Sequence, residues 1–569
     1  MTVDLLVRGG TVVDGTGAPG FTADVAIRDG RIDEIGHLAA DVDAAEVIDA
    51  DGLTVTPGFI DIHTHYDAQL HWDPTASPAS WHGVTTIFTG NCGFTLSPAA
   101  PEDVPWLLLM LSRVEGMSAD ALVSAVDWSG GSFAAFLDNL EGRVGVNVAA
   151  NVGHCALRRM VMGDDASERA ATADEITRMQ QALRDAFTAG AAGFTSSQLE
   201  LHVAHDGRGV PSNHAAAEEL VALAGVVGET RTGAIEFIPR SFLTGYDDDD
   251  RRLIRAMASA ASVPVHLNTL APLHPSAPDG WERSVEFARS ARVDGLDVHP
   301  MFAANRQGAH FALANTFLFD EMASFRESLT APDAERRRLL ADPAVRDRMR
   351  ADIAKGGTSF VFFWPVIRCE SVSRPANSRY VGMSVTEIAA AMGEGRDELD
   401  AFLDLSLADD LATQFGLVAP PDPRRRAATE ALIRDPVVMA GSSDGGAHLL
   451  SFCGADFTTR LLTEWADDVV SFEDAVARLT SVPARTQGLA DRGTLRPGAA
   501  ADILLIDREH LATPDSPRYV QDLPADSGRY VCDASGYESV IVNGRVLLRN
   551  GNWTGAMPGR ILRGTPRPV

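Results

Sequence analysis

The sequence predicts an α/β fold in which repeated strand–helix units form a barrel and both chain ends form a small β-domain. The chain has 569 residues, more than one ordinary compact core holds, so at least two domains are expected. Both ends consist of short β-like runs, whereas the long middle alternates β-like and helical runs. No stretch approaches the roughly 18 consecutive apolar residues of a membrane span, so no such span is expected.

The two ends are predicted to build one β-domain, from residues 1–56 and 491–569. The first part contains LLVRGGTVVDG and DVAIRDGRIDEIG, in which Gly and Asp mark turns between short strands. The second part contains ADILLID and YESVIVNGRVLLRNG, where the Asn-Gly pair indicates a hairpin.

The middle, residues 57–490, is predicted to be the barrel. Strand-like runs such as GVTTIFTGNC and SVPVHLNTL alternate with amphipathic helical runs such as ADEITRMQQALRDAFTAG. Two helical stretches, near 100–140 and 315–425, are longer than ordinary connections. We interpret them as insertions over the mouth of the barrel.

Composition excludes several classes of function. The formal charge of −29 disfavours binding to nucleic acid or to anionic lipid. Five scattered cysteines argue against a disulfide framework, and the first residues do not resemble a signal peptide, so a cytoplasmic location is expected. The sequence leaves a homo-oligomer open.

Side chains that bind divalent cations occur at the predicted strand ends. His63 and His65 follow an apolar run, and residues i and i+2 of a strand point to the same face. Two imidazoles that converge in this way can hold a metal ion, whereas an isolated H-x-H is as often a pair of surface histidines. The groups at these ends are His63, His65, Cys92, His154, Glu236, His266 and Asp444.

Several motifs, in order along the chain, resemble the amidohydrolase superfamily and within it the N-acyl-D-amino-acid deacylase (D-aminoacylase) group. They are PGFIDIHTHYD at 57–67, GVTTIFTGNCG at 83–93, NVGHCALRRMVMG at 151–163, GSSDGGAH at 441–448, LTSVPARTQGLADRGTLRPGAAADILLID at 479–507 and TGAMPGRILRG at 554–564. This resemblance covers the first two and the last barrel strands well and the middle strands poorly.

The resemblance implies a (β/α)8 TIM-like barrel with a small β-sandwich and a metal-activated water that attacks an amide carbonyl. His63 and His65 match the first-strand metal pair of the family, and Cys92 matches the subgroup's cysteine ligand. Asp444 matches the last-strand aspartate that acts as general base and touches the metal. A cysteine ligand favours zinc.

Two departures from the family pattern bear on the number of metal ions. The only lysine, Lys355, lies in a helical insertion, so a carboxylated lysine that bridges two metals is not expected. The subgroup has a histidine on the fifth strand, where this chain has Glu236, while the sixth strand offers His266. We therefore expect one zinc ion rather than two, with ligands from His63, His65, Cys92, His266 and Asp444.

Six further residues are candidates for substrate contact or for support of the ligands. Each also has a plain structural interpretation, as a packed histidine or a paired charge. An N-acyl amino acid would require an arginine in the pocket, for which Arg158 and Arg306 are candidates. His448, four residues after Asp444, returns next to it if the segment is helical. The six candidates are Asp67, His154, Arg158, His202, Glu236 and His448.

The predicted function is metal-dependent hydrolysis of an amide carbon–nitrogen bond in a small molecule such as an N-acyl-D-amino acid. Two alternatives stay open. The same site could open a cyclic amide, an ester or a lactone, because fold alone does not fix the reaction. A chain of this fold that binds no metal could instead serve as a scaffold.

Overall fold

A computed structural model gives the structure and describes residues 2–304, 308–393, 395–418 and 422–567. Its strands are β1 (Val3–Val12), β2 (Phe21–Arg28), β3 (Arg31–Gly36), β4 (Ala44–Asp49), β5 (Thr54–Pro57), β6 (Phe59–Asp61), β7 (Val84–Thr89), β8 (Asn147–Ala150), β9 (Val152–Gly153), β10 (Gly193–Ser197), β11 (Ala234–Ile238), β12 (Val265–Leu267), β13 (Val298–Phe302), β14 (Gly308–Phe311), β15 (Arg368–Ser371), β16 (Gln414–Val418), β17 (Met439–Ala440), β18 (Ile503–Ile506), β19 (Arg518–Leu523), β20 (Ser527–Val531), β21 (Tyr537–Val542), β22 (Arg545–Arg549) and β23 (Asn552–Trp553).

The helices lie mostly between the central strands. They are α1 (Val104–Val114), α2 (Ala119–Ala125), α3 (Phe133–Leu140), α4 (His154–Met162), α5 (Ala173–Ala189), α6 (Ala217–Thr230), α7 (Asp248–Ala261), α8 (Gly280–Val293), α9 (Ala323–Leu329), α10 (Asp333–Ala341), α11 (Pro343–Lys355), α12 (Val385–Met392), α13 (Glu398–Ala408), α14 (Pro423–Arg434), α15 (Phe457–Arg460), α16 (Phe472–Leu479) and α17 (Ser481–Gln487).

Both chain ends contribute to one sheet. Its strand order is β23-β22-β21-β18-β5-β1-β2-β3, with β4 alongside β1. The two ends meet where β18 pairs antiparallel with β5, and Ile503 lies opposite Pro57. Alternate residues of these strands bury an apolar core that includes Val25, Val55 and Leu505.

The central strands pair in parallel, in the order of the chain. One sheet has the order β6-β7-β8, and a second has the order β9-β10-β11-β12-β13-β17. Asn151 alone separates β8 from β9, and a parallel bridge between Thr64 and Gly445 links the residues after β6 to those after β17. The carboxyl ends of these strands therefore meet at one edge, where the predicted site residues begin.

Helix α5 illustrates how local sequence sets the helical elements. Thr172 and Glu175 form a capping box at its start, and Gly190 ends it in the left-handed conformation. Met179 and Leu183 lie on its buried face, at a spacing of four residues. No helix in the described ranges is both long and apolar enough to span a membrane.

The stretch from 308 to 418 has a core of its own. Its helices α9 to α13 pack around a three-stranded sheet of order β14-β16-β15. Phe311 is fully buried in this core, and its ring meets those of Phe319 and Phe402 at centroid distances of 5.1 and 6.1 Å. The sequence predicts a helical insertion here, and the structure adds the small sheet.

Candidate active site

The first two candidate ligands lie on the segment directly after β6. His63 and His65 are 0% and 2% exposed, and their ring centroids are 5.3 Å apart. The intervening Thr64 points elsewhere, because its hydroxyl donates a hydrogen bond to the Phe88 carbonyl on β7 (2.8 Å). The alternation expected of extended backbone therefore brings both imidazoles to one side.

The third candidate ligand, Cys92, lies in a tight turn after β7. Cys92 itself has a positive φ of 57°, and Gly90 before it has a φ of 78°. A β-carbon at Gly90 would lie 2.8 Å from the Asn151 carbonyl oxygen, so only glycine fits. Thr195 fixes the turn, because its hydroxyl donates to the Gly90 carbonyl and accepts from the Gly93 amide (3.1 Å).

Asp444 completes the group from the turn after β17. Its Oδ1 lies 2.9 Å from Nε2 of His63 and 3.8 Å from Nε2 of His65. Ser443 holds this turn, since its hydroxyl donates to Asp61 (2.5 Å) and accepts from the Gly445 amide (2.8 Å). The Asp444 side chain is 21% exposed, so the carboxylate can reach both the ligands and a substrate.

These four groups converge with the spacing of a metal site. The Cys92 Sγ lies 3.4 Å from Nε2 of His63 and 3.7 Å from Nε2 of His65. A tetrahedral zinc with ordinary Zn–N and Zn–S bonds separates its nitrogen and sulfur ligands by about 3.6 Å. The group of His63, His65 and Cys92 therefore fits a zinc ion, and the metal-binding expectation is supported by geometry as well as by residue type.

A carboxylate lies near Nδ1 of each of the two imidazoles. Glu236 Oε1 lies 3.6 Å from Nδ1 of His63, and Glu115 Oε1 lies 3.3 Å from Nδ1 of His65. Carboxylates in this position orient ligand histidines and raise their basicity. Glu115, at the end of α1, is not among the residues that the sequence predicts, because neither its spacing nor its surroundings mark it as a site residue.

The site brings several acidic groups together in a buried place. Burial raises the pKa of Glu236 to about 7 and the pKa of Glu115 well above its ordinary value. Burial, with the charges of Glu236 and Glu115, also raises the pKa of the Cys92 thiol well above its ordinary value. Such a cluster favours a bound cation, which offsets the charge and deprotonates the thiol.

Burial and mutual contacts shift the pKa values of the two histidines and of Asp444. Burial lowers the pKa of His65 well below its ordinary value. Burial acts most strongly on His63 and would lower its pKa, but the hydrogen bond to Asp444 and the charges of Asp444, Glu236 and Asp61 together outweigh burial and raise that pKa. Although burial acts to raise it, the pKa of Asp444 is lowered below the ordinary value by the hydrogen bond and charge of His63. Asp444 is therefore ionised and can accept a proton.

A cavity of about 560 Å³ opens onto this group. His65, Cys92 and Asp444 line one part of it, and residues of the 308–418 stretch line another. The volume lies within the range of about 300–1,000 Å³ that is usual for small-molecule sites.

Two of the predicted contact residues lie on the cavity wall. His202 accepts or donates a 2.9 Å hydrogen bond at Nδ1 with Ser197, and burial lowers its pKa to about 3. His448 lies 4.0 Å from Asp444 and 3.9 Å from Glu115 through Nε2. The segment between Asp444 and His448 is a turn with positive φ at both residues rather than the helical turn the spacing suggests.

The structure does not bring His266 to the metal site, contrary to the sequence-based ligand set. Its ring contacts His299 at a centroid distance of 5.9 Å, and its Nδ1 lies 3.3 Å from Gln487. Asn268, two residues later and directly after β12, lies next to the site instead, with Nδ2 3.4 Å from Nε2 of His63.

His154 and Arg158 also lie away from the cavity. Both are fully buried and share the carboxylate of Glu219, which is 2.9 Å from His154 Nε2 and 2.5 Å from Arg158 Nη1. Arg158 is thus committed to an ion pair inside the protein. Arg306 lies outside the described residues.

Asp67 holds the cysteine turn rather than a ligand imidazole. Its Oδ2 accepts a 3.0 Å hydrogen bond from the Gly90 amide. The carboxylate support expected from Asp67 comes instead from Glu115 and Glu236.

Comparison with known proteins assigns the family. The model of the amidohydrolase family matches residues 46–548. The chain belongs to the amidohydrolase family. An uncharacterised protein of Mycobacterium bovis is 30% identical over 98% of this chain and 93% of its own length. The D-aminoacylase of Alcaligenes xylosoxydans xylosoxydans is 29% identical over 99% of this chain and 98% of its own length.

A solved structure extends this likeness to three dimensions. The N-acyl-D-glutamate deacylase of Bordetella bronchiseptica, in complex with zinc and a phosphonate inhibitor, superposes with a TM-score of 0.68. It is 26% identical and covers 99% of this chain and 100% of its own. The predicted resemblance to D-aminoacylases is confirmed, and this family member is a metal-dependent hydrolase of carbon–nitrogen bonds.

Proposed function

We propose that this amidohydrolase cleaves the amide bond of an N-acyl amino acid, with the D-enantiomers as the first substrates to test. The observation that carries the proposal is the convergence of His63, His65, Cys92 and Asp444 where the cavity opens. The deacylase names of two relatives support the choice of amide and of configuration.

We propose that His63, His65, Cys92 and Asp444 hold one zinc ion. When bound, such an ion lowers the pKa of a water molecule towards 7 and polarises a carbonyl. The chain has Glu236 and Asn268 near the place of further ligands, and one oxygen of each already accepts a hydrogen bond: Glu236 Oε2 from the Cys92 amide (2.8 Å), and Asn268 Oδ1 from Ser442. These partners favour a single ion over two.

Asp444 is the proposed general base and general acid. Its carboxylate is ionised and partly exposed to the cavity, so it can take the proton from the attacking water. The same carboxylate then delivers that proton to the leaving nitrogen. His448, within 4.0 Å of Asp444, and the neutral His202 are the proposed contacts to the substrate.

Arg425 is the proposed contact to a substrate carboxylate. It lines the cavity, and its Nη1 donates to the Pro272 carbonyl (3.1 Å). Partial burial lowers its pKa although the charge of Asp422 acts to raise it, so a further anion beside this cation would be stabilising. A carboxylate would supply that anion.

We propose that the central parallel strands form one (β/α)8 barrel over residues 57–490, with a small β-domain from 1–56 and 491–569. The parallel order of β6 to β13 and β17, with the bridge between Thr64 and Gly445, supports closure. The five unpaired cysteines support a cytoplasmic location, and the charge of −29 argues against nucleic acid and membrane surfaces as partners.

The test is release of free amino acid from a panel of N-acetyl-D- and N-acetyl-L-amino acids by the zinc-loaded protein. We expect hydrolysis of D-substrates and its loss in Arg425→Met, with Arg424→Met as the matched control because Arg424 is exposed and paired with Asp422. Hydrolysis of hydantoins, esters or lactones without any linear amide would refute the proposal.

A further inference from the structure

The cavity has an apolar wall that the proposed chemistry does not use. Val361 and Phe363 line it, yet their side chains are 57% and 56% exposed. Leaving large apolar side chains open to water is unfavourable, and contiguous apolar surface of this kind commonly marks a binding site.

Neighbouring aromatic residues anchor the segment that carries Val361 and Phe363. The rings of Phe360 and Phe362 pack into the core of the 308–418 stretch, at centroid distances of 4.8 and 5.0 Å from Phe319. The ring of Trp364 packs against that of Phe362, with a centroid distance of 4.6 Å. Alternate residues therefore anchor the segment, and Val361 and Phe363 are left facing the cavity.

Further apolar residues line the same cavity. They come from the end of β11 and the segments after β10, β11 and β12, and they include Leu199, Leu201, Ile238, Phe242, Leu243 and Leu273. Two acidic side chains of the lining already have partners: both oxygens of Asp320 accept from Nη2 of Arg113 (2.7 and 2.6 Å), and Glu321 accepts from the Ser359 amide (2.5 Å).

We propose that the amide substrate carries a large apolar group, an aliphatic chain or an aryl group, which packs in the cavity against Val361, Phe363 and the other apolar residues that line it. The cavity is continuous from Asp444 to Val361, so one molecule can reach both the reacting groups and the apolar wall. This inference rests on the proposed amide hydrolysis and narrows its substrate class. An N-acetyl amino acid with a small side chain would leave these apolar residues uncovered.

Two substrate series test the inference on the zinc-loaded protein. One series lengthens the acyl group from acetyl through hexanoyl to decanoyl, and the other enlarges the amino-acid side chain. In at least one series we expect kcat/KM to rise about fourfold for each added methylene that is buried. The gain should appear mainly in KM, because an apolar contact is made equally before and during reaction.

Matched variants locate the contact. Val361→Ser should lower kcat/KM for the longest substrate about threefold and Phe363→Ser about fivefold, with little change for the shortest. Val381→Ser is the control, since Val381 belongs to the same stretch, is 45% exposed and does not line this cavity. Equal losses in all three variants, or no dependence on chain length, would overturn the inference.

A binding measurement separates this inference from the proposed function. Decanoate should bind more tightly than acetate by calorimetry, with a negative heat-capacity change that Phe363→Ser reduces. If no amide is hydrolysed but decanoate binds in this way, the hydrolase proposal fails and the apolar site stands. If short amides are hydrolysed and decanoate shows no preference, only the inference fails.

Discussion

Removing the Glu115 carboxylate should weaken metal binding without touching a ligand. Glu115 is 2% exposed, and its Oε1 lies 3.3 Å from Nδ1 of His65. Partners in this position are worth about 10- to 100-fold in metal affinity. That range corresponds to about 1.4–2.8 kcal/mol, since each tenfold is about 1.4 kcal/mol.

We expect the smaller loss for Glu115→Gln and the larger for Glu115→Ala. The amide oxygen of glutamine can still accept from the imidazole, but it lacks the charge that raises ligand basicity. Both variants keep the backbone contact in which the Glu115 carbonyl accepts from the His448 amide (2.5 Å), so the turn that carries Asp444 should stay in place.

The assay is zinc competition against a chromophoric chelator, with circular dichroism to confirm folding. Glu102→Gln is the control, since Glu102 is an exposed glutamate just before α1. An affinity for zinc in Glu115→Ala equal to that of the wild type would refute the assignment of Glu115 as the partner of His65.

Three further outcomes follow from the structure. Asp444→Asn should lower kcat about 10²- to 10⁴-fold in steady-state kinetics while the protein still folds. Thr195→Val removes both hydrogen bonds that hold the Cys92 turn, and should cost about 1–3 kcal/mol in denaturant unfolding and weaken zinc binding. Glu219→Gln leaves Arg158 buried without its anion and should cost about 3–5 kcal/mol. The pKa of Glu219 is lowered in the folded protein, although burial acts to raise it. The stabilisation by ionised Glu219 is therefore complete above the unfolded pKa of about 4.3 and is lost as pH falls through the lowered value. Glu219→Gln should consequently lose part of the dependence of unfolding on acid pH.

The elements that the sequence predicts best are those with strong local signals. The runs GVTTIFTGNC and GAIEFIP form β7 and β11, and the alternation of His63 and His65 places both rings on one side. Cys92 and Asp444 join them because both follow parallel strands, whose carboxyl ends share an edge.

The other site residues cannot be predicted in this way, because their placement depends on how far along the axis of the proposed barrel each strand residue lies and on contacts between distant segments. His266 and Asn268 lie on one face of the same stretch, but only Asn268 reaches His63. The stagger between neighbouring strands sets which residue of a strand reaches the site, and the sequence of one strand does not determine that stagger. Glu115 reaches His65 from a helix in an insertion, so no local pattern reveals the pair.

The ion pair of Arg158 has the same explanation. Its partner Glu219 lies in α6, more than one strand–helix unit away, and the burial of both charges follows from the packing of α4 against the elements around it. Arg158 is a candidate substrate contact in the sequence analysis because the sequence does not reveal its ion pair with Glu219.

Metal content by mass spectrometry, on protein purified without chelators, tests the central claim most directly. The account predicts one zinc ion per chain in the wild type, its loss in Cys92→Ala, and its retention in Cys155→Ala, since Cys155 is also buried but hydrogen-bonds to Ser212, which is not among the proposed ligands. A wild-type protein that binds no divalent metal, or a Cys92→Ala variant with full zinc content, would contradict the thiolate-ligated hydrolase site.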